Sequence, residues 1–198
     1  MTALPLLIGR VTRSSTLGYT GAVRLPEPDV PVFGSYCQAE AQRGQSLVIG
    51  LIYNLSIEDD AFARQVATAQ SLTPEQLADT QINRQVPIEF SALTIGYREG
   101  DEFHYTLPPQ PPMTLAPIQT LPPESVRAFS RRLDFLPLIL NAPEIPIDEL
   151  VAAALRLAAV ARPESERRPF LVEAGRECAR LLAHDLTRFE NLVRALRP

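Results

Sequence analysis

Four basic residues near the C-terminus form the most distinctive candidate binding pattern in this sequence. They recur at every fourth position: Arg176, Arg180, His184 and Arg188. On a continuous helix this spacing places them in one column, which can meet the phosphates of a nucleic acid or an acidic partner surface. Glu173 and Glu177 lie beside the column, as on an ordinary solvated helix face, so both interpretations stay open.

A catalytic site would need a nucleophile, a base and an orienting group close together, and the sequence contains no motif that supplies them. His104 lies in a predicted strand between two aromatic residues. No neighbour of Cys37 would lower the pKa of its thiol, and a buried hydrophobic role fits it better. We therefore predict a protein without catalytic residues; an enzyme whose site leaves no motif is the alternative.

Metal and cofactor sites are equally hard to find in the sequence. The densest acidic cluster, Glu58, Asp59 and Asp60, offers hard oxygen ligands, but helix capping accounts for it more simply. Cys37 and Cys178 are too few for a disulfide framework or a four-ligand zinc site. We expect no metal, no cofactor and two buried thiols.

Composition predicts a globular protein whose two halves differ in surface charge. Of the 198 residues, 45% are hydrophobic, which is enough for a core without disulfides. Residues 1–120 carry seven arginines and twelve acidic residues, whereas residues 121–198 carry twelve and eleven. No apolar run reaches the roughly 18 residues of a membrane span, and residues 1–8 lack signal-peptide features, so we expect a cytoplasmic protein without membrane contact.

The N-terminal part has the alternation of apolar runs and turns that is typical of a small β-barrel. Six strands are predicted, over residues 6–12, 19–25, 33–39, 46–57, 86–97 and 103–107. The last two should form a hairpin around Glu99-Gly100-Asp101, and Gly50 should mark a bulge or a tight bend. Two short helices are predicted between the fourth and fifth strands. Closure of such a sheet removes its exposed edges.

The C-terminal part is predicted to be helical and to begin after a proline-rich linker. Residues 108–123 carry seven prolines, which places the boundary between a barrel domain, 1–118, and a helical region, 119–198. Helices are predicted over residues 124–136, 148–161 and 169–196. The last has a broad apolar face including Leu182 and Phe189, which either the alanine-rich second helix or another copy of the chain must cover.

The strand pattern resembles the HAS barrel, the small barrel that precedes the motor in HerA-type DNA translocases. The matching segments are Ile8-Gly9-Arg10-Val11, Val32-Phe33-Gly34-Ser35-Tyr36 and Val48-Ile49-Gly50-Leu51-Ile52. The resemblance implies a role in arranging subunits and in docking a partner such as a NurA-type nuclease. It does not extend to a motor, because the chain has no lysine and no Gly-x-x-x-x-Gly phosphate loop.

The leading hypothesis from the sequence is therefore a non-enzymatic barrel protein that self-associates or docks a partner. An adaptor to a separate HerA-like motor in DNA processing is its specific form, and Leu182 and Phe189 are the predicted oligomer contacts. The alternative is a nucleic-acid-binding protein that uses the arginines of the last helix. Neither hypothesis includes nucleotide binding or hydrolysis by this chain.

Overall fold

A closed antiparallel barrel forms the N-terminal part of the protein. The computed structural model describes residues 4–23, 31–57, 88–143 and 145–196. The strands in these ranges are β1 (Leu7–Ser14), β2 (Gly18–Val23), β3 (Tyr36–Ala41), β4 (Ser46–Ile57), β5 (Ile88–Glu99), β6 (Glu102–His104) and β7 (Pro117–Thr120). Six of them close into a ring in the order β1-β2-β5-β4-β3-β7, with β6 added beside β5. The predicted barrel with a helical C-terminal region is confirmed.

The barrel interior is filled with side chains because the strands alternate between an inward and an outward face. On β5, Phe90 and Ala92 belong to the interior core, whereas Ile95 packs with the helices outside. Val48 and Ile52 of β4 are completely buried in the same interior core. The barrel therefore has its own apolar core, and the described strands enclose packed side chains rather than a channel.

The sequence predicted the number of barrel strands correctly but misassigned one of them. The predicted strand 103–107 corresponds to β6, which among the described strands pairs with β5 alone and lies outside the closed ring. The sixth strand of the ring is β7, which lies within the proline-rich stretch 108–123 and pairs with both β1 and β3. The prediction of a linker leaving the barrel is wrong for this segment, because Pro117 begins the strand, a position that proline tolerates.

Gly50 lies at an irregularity of the barrel, as predicted. Ile49 pairs with Gly96 and Gly50 pairs with Thr94, so Ile95 is an extra residue on β5. A Cβ at position 50 would lie 2.8 Å from the Tyr19 hydroxyl. Glycine fits here because the Tyr19 side chain, which belongs to the interior core, leaves too little room for a Cβ.

Five helices in the described ranges follow the barrel and cover one part of its outer surface. They are α1 (Pro123–Phe129), α2 (Leu136–Leu140), α3 (Ile147–Val160), α4 (Glu164–Leu181) and α5 (Leu186–Leu196). The alanine-rich α3 is central, since α2, α4 and α5 all pack against it. Its small side chains permit close contact with the barrel: a Cβ at Gly34 would lie 2.4 Å from that of Ala153. Barrel residues such as Tyr36 and Leu51 share one core with these helices.

The predicted helix 169–196 is wrong, because the chain forms two helices in this region. The first begins earlier, at Glu164, and includes Pro169. It ends at Leu181, and α5 begins at Leu186, where the Asp185 carboxylate accepts a 3.0 Å hydrogen bond from the Arg188 backbone N–H. Asp185 thus caps α5, and the turn before it redirects the chain. An aspartate within an apolar periodic pattern was the available signal for this break.

The helix predicted over 148–161 is confirmed as Ile147–Val160, whereas the first predicted helix is divided in two. The predicted helix 124–136 ends at Phe129, and Pro137 lies in the first turn of α2 rather than ending a helix. Residue 118 lies inside β7, so a division there would cut a barrel strand. Autonomous folding of residues 1–118 stays a prediction. The two helices predicted between the fourth and fifth strands lie outside the described residues.

Candidate functional site

The break between α4 and α5 separates the four basic residues that the sequence placed in one column. Arg176 and Arg180 lie on α4, His184 lies in the turn, and Arg188 lies on α5. The first three are exposed, whereas Arg188 is partly buried and its Nε donates a 2.6 Å hydrogen bond to Asp148 Oδ1 of α3. The structure keeps Arg176 and Arg180 together and gives Arg188 a separate role in joining two helices.

A different set of arginines meets on the surface where α4 faces the connection between α1 and α2. We call this depression of about 430 Å³ the arginine cleft. The connection contributes Arg131, Arg132, Leu133 and Asp134, and α4 contributes Glu173, Arg176, Glu177 and Arg180. The four α4 residues follow a spacing of three to four positions, so they lie on one face of that helix. The cleft therefore combines two adjacent arginines from a short connection with two arginines from one helix face.

Two ion pairs within the arginine cleft each lie inside a single wall. Arg180 binds Glu177 through both carboxylate oxygens, with Nε 2.9 Å from Oε2. This hydrogen bond lowers the pKa of Glu177 below its usual value. On the other wall, Arg132 pairs with Asp134. Because neither pair crosses the cleft, the two walls are not joined by these contacts and the space between them stays open.

The remaining arginines of the cleft are available for a further partner. No carboxylate lies within ion-pair distance of Arg131 or Arg176 among the described residues. Arg168 lies on the adjoining surface, in a second depression that shares Glu173 and Arg176 with the cleft. Arg168 and Arg176 thus line one depression on the surface of α4. A planar guanidinium can hold a carboxylate through two parallel hydrogen bonds.

A buried arginine that the sequence analysis missed holds the walls of the cleft in place. Arg162 is 7% exposed; its Nη1 donates to the Ser130 hydroxyl and its Nη2 to the Ser130 carbonyl, both at 3.0 Å. Its guanidinium carbon lies 3.6 Å from the centre of the Phe170 ring. Arg162 therefore ties the end of α1 to α4. Its role depends on contacts between distant segments, so nothing in the local sequence distinguishes it from the exposed arginines.

Structural roles account for Cys37, Cys178 and His104. Burial raises the pKa of the Cys37 thiol to about 12, and its Sγ lies 3.2 Å from the Tyr19 hydroxyl. Burial likewise raises the pKa of Cys178 to about 11. His104 stacks on Tyr97 with 4.6 Å between ring centres. Thiols with raised pKa values are poor nucleophiles near neutral pH.

Metal binding receives no support within the described ranges, where no three His, Cys, Asp or Glu residues are placed to hold an ion. Glu58, Asp59 and Asp60 lie outside those ranges. In the same part of the chain, no helix combines the length and the apolar composition that a membrane crossing requires.

The two residues predicted as oligomer contacts lie against the core of the single chain. Leu182 is 7% exposed and belongs to the core that the helices share with the barrel. Phe189 is partly buried and packs against the same core. The alanine-rich α3 thus covers this apolar face, which was one of the two alternatives considered from the sequence.

An exposed apolar groove lies where the β1–β2 turn meets the end of α2. Two depressions of about 290 and 280 Å³ share Leu17, Leu93, Ala142 and Pro143. Leu17 is 60% exposed at its rim. The residues that the two depressions share are apolar, which distinguishes this groove from the arginine cleft.

Comparison with known proteins gives no relative from which a function could be carried over. No protein-family model matches the chain, and no curated protein matches it.

Proposed function

We propose that this protein is a non-enzymatic assembly module that docks an acidic protein surface through the arginine cleft. The closed barrel supplies a rigid support whose interior is filled, and the helices that cover one part of it present the cleft. A rigid support favours binding because little conformational freedom is lost on association. The proposal assigns no chemical reaction to the chain.

The mixed charge of the arginine cleft is the observation that carries this proposal. Four arginines alternate with Asp134, Glu173 and Glu177 over the eight lining residues. A protein partner can match such a pattern with carboxylates opposite Arg131 and Arg176 and neutral groups elsewhere. A nucleic-acid backbone carries a negative charge at every phosphate along its length. The cleft offers two arginines without a carboxylate partner among the described residues, which suits a short acidic segment of a protein better.

Two kinds of partner are consistent with an assembly module of this shape. One is another copy of the chain, which would make the protein a homo-oligomer. The other is a HerA-like motor or a NurA-like nuclease, in keeping with the resemblance of the first half of the chain to the HAS barrel. That resemblance rests on short segments such as Val48-Ile49-Gly50.

Light scattering over a micromolar concentration series, at about 50 mM and about 500 mM salt, tests the proposal, since added salt screens exposed charges. We expect the mass to rise with concentration and the rise to be weaker at high salt.

A strictly monomeric mass under both conditions would remove the case for self-association. A HerA-like motor and a NurA-like nuclease, each purified, would then be titrated onto the chain, and the absence of both complexes would overturn the proposal.

Nucleic-acid binding is the second candidate, favoured by the positive charge that Arg168 adds beside the cleft. Fluorescence anisotropy with labelled single-stranded and duplex oligonucleotides distinguishes it from protein docking. Binding that weakens steeply with salt, in a chain that remains monomeric, would support this second function. Unchanged anisotropy at high micromolar protein would exclude it.

A further inference from the structure

We propose that the occupant of the arginine cleft is the tip of the β5–β6 hairpin of a second copy of the chain. The inference rests on the proposed function and names the surface that the cleft recognises. It makes the cleft and the hairpin tip the two halves of one self-association contact.

The hairpin tip carries the most concentrated acidic surface of the described barrel. Glu99, Asp101 and Glu102 are all exposed within four consecutive residues. Gly100 has a positive φ of 56° at the turn, and no atom lies within 4 Å of the position that its Cβ would occupy. Glu99 still pairs with Ser46 of β4, whereas Gly100 and Asp101 form the exposed turn beyond the last strand pairs and can enter a concave surface.

The tip and the cleft are complementary in charge. Arg131 and Arg176 have no carboxylate partner among the residues described, and both line the cleft. The three carboxylates carry three negative charges, whereas the half-buried Arg98, which precedes them in the chain, supplies one positive charge. Carboxylate and guanidinium groups form paired hydrogen bonds that fix orientation as well as sign. The contact would also bring together the acidic and the arginine-rich halves of the chain.

The positions of the two surfaces allow a closed dimer. Arg132 of the cleft lies 5.2 Å over the ring of Tyr105, the residue that follows β6. The cleft and the base of the hairpin are therefore neighbours on one side of the molecule. Within the described part of a chain, no ion pair joins the tip to the cleft. Two copies related by a two-fold axis can exchange hairpin tips reciprocally, which closes the assembly at two.

Charge reversal on each side of the contact tests this inference. The cleft variant combines Arg131→Glu with Arg176→Glu, and the tip variant combines Glu99→Arg with Asp101→Arg. All four side chains are exposed, so both variants should fold, which circular dichroism verifies. We expect each variant alone to weaken self-association by at least about tenfold, because like charges would then face each other. An equimolar mixture of the two should form a heterodimer, since the reversed surfaces complement one another.

Two control variants distinguish this contact from self-association through a different surface. Arg194→Glu reverses an exposed arginine on α5, outside the cleft, and should leave self-association unchanged. Leu17→Asp places a charge at the rim of the apolar groove and should also have no effect. If the wild-type chain self-associates but both charge-reversed variants do so equally, the inference is overturned while the proposed function stands. Loss of self-association in Leu17→Asp alone would place the contact at the apolar groove instead.

Discussion

Arg188 on α5 donates a 2.6 Å hydrogen bond from Nε to Oδ1 of Asp148, at the start of α3. About a quarter of each side chain is exposed, so the pair is largely shielded from solvent. It fixes the last helix of the described chain onto the central one. The arginine that the sequence assigned to a surface column is therefore part of the packing between helices.

Removing either partner of this pair should destabilise the protein. We expect Arg188→Ala and Asp148→Ala each to lower the free energy of unfolding by about 1–2 kcal/mol, the range for charge-assisted hydrogen bonds in shielded positions. The double variant should lose little more than either single variant, because both remove the same contact. Urea denaturation measures these differences. Arg180→Ala is the matched control: Arg180 is exposed, so loss of its pair with Glu177 should change stability less than either of these substitutions.

Two glycines should respond in opposite directions to the same substitution. In Gly50→Ala the new methyl group would meet the Tyr19 hydroxyl at 2.8 Å and Ala92 Cβ at 3.1 Å, so we expect a loss of about 1–3 kcal/mol. Gly175 lies within α4, and nothing lies within 4 Å of its Cβ position. Gly175→Ala should therefore raise stability by about 0.5–1 kcal/mol through helix propensity. Thermal melts of the two variants measure these changes in stability. Equal changes in melting temperature would contradict this account of Gly50.

Alkaline pH should destabilise the protein through its buried thiols. The pKa of Cys37 is raised from 9.0 to about 12 in the folded state, because burial disfavours the thiolate. The folded chain therefore holds a proton that the unfolded chain releases, and the resulting stabilisation is complete below pH 9.0 and lost as the pH rises toward 12. Burial also raises the pKa values of Tyr19 and Tyr36, which adds to the loss at higher pH.

Denaturant titrations from neutral pH to about pH 11 measure this effect, because stability depends on the difference in bound protons. Above pH 9.0, the free energy of unfolding should fall less steeply in Cys37→Ala than in the wild type. The slope is compared, rather than the absolute stability, because the substitution also removes packing. Identical slopes would show that Cys37 does not contribute. Native Cys37 and Cys178 should also resist a thiol reagent near neutral pH until the chain unfolds.

Leu182→Asp should impair folding rather than self-association. Leu182 is buried in the helical core, and an unpaired carboxylate there should cost at least about 3 kcal/mol. Leu186→Asp, at a 70% exposed position on α5, should change stability by less than about 0.5 kcal/mol. Phe189→Asp should lie between them, since Phe189 is partly buried. A Leu182→Asp chain that folds normally but no longer self-associates would instead restore the predicted oligomer contact.

The folding of the barrel by itself depends on where the fragment ends. A fragment of residues 1–118 lacks half of β7, whereas residues 1–121 keep the hydrogen bonds from Thr120 to Leu6 and from Leu121 to Tyr36. We expect the longer fragment to melt cooperatively, at a temperature below that of the whole chain, because Leu51 and Ile95 lose the helices that cover them. The shorter fragment should melt lower still. A non-cooperative melt of residues 1–121 would contradict an autonomous barrel.

The sequence alone determined the elements whose signals are local. The hairpin of β5 and β6 follows from two strand-like runs around Gly100, and the irregularity at Gly50 follows from a glycine inside a strand of branched residues. The alanine content of α3 likewise indicated a helix that neighbours could approach closely. Propensity, alternation and turn chemistry act over a few residues, so they can be read without knowledge of the fold.

Only the tertiary structure decided which segments come together. Pro117–Thr120 has little strand character by itself and becomes a barrel strand because β1 and β3 offer hydrogen bonds on both sides. Arg131 and Arg132 join Arg176 in one cleft because Arg162 and Ser130 hold α1 against α4. The hydrogen bonds and burial that stabilise these arrangements link residues far apart in the chain, and such energies appear only when the chain closes on itself.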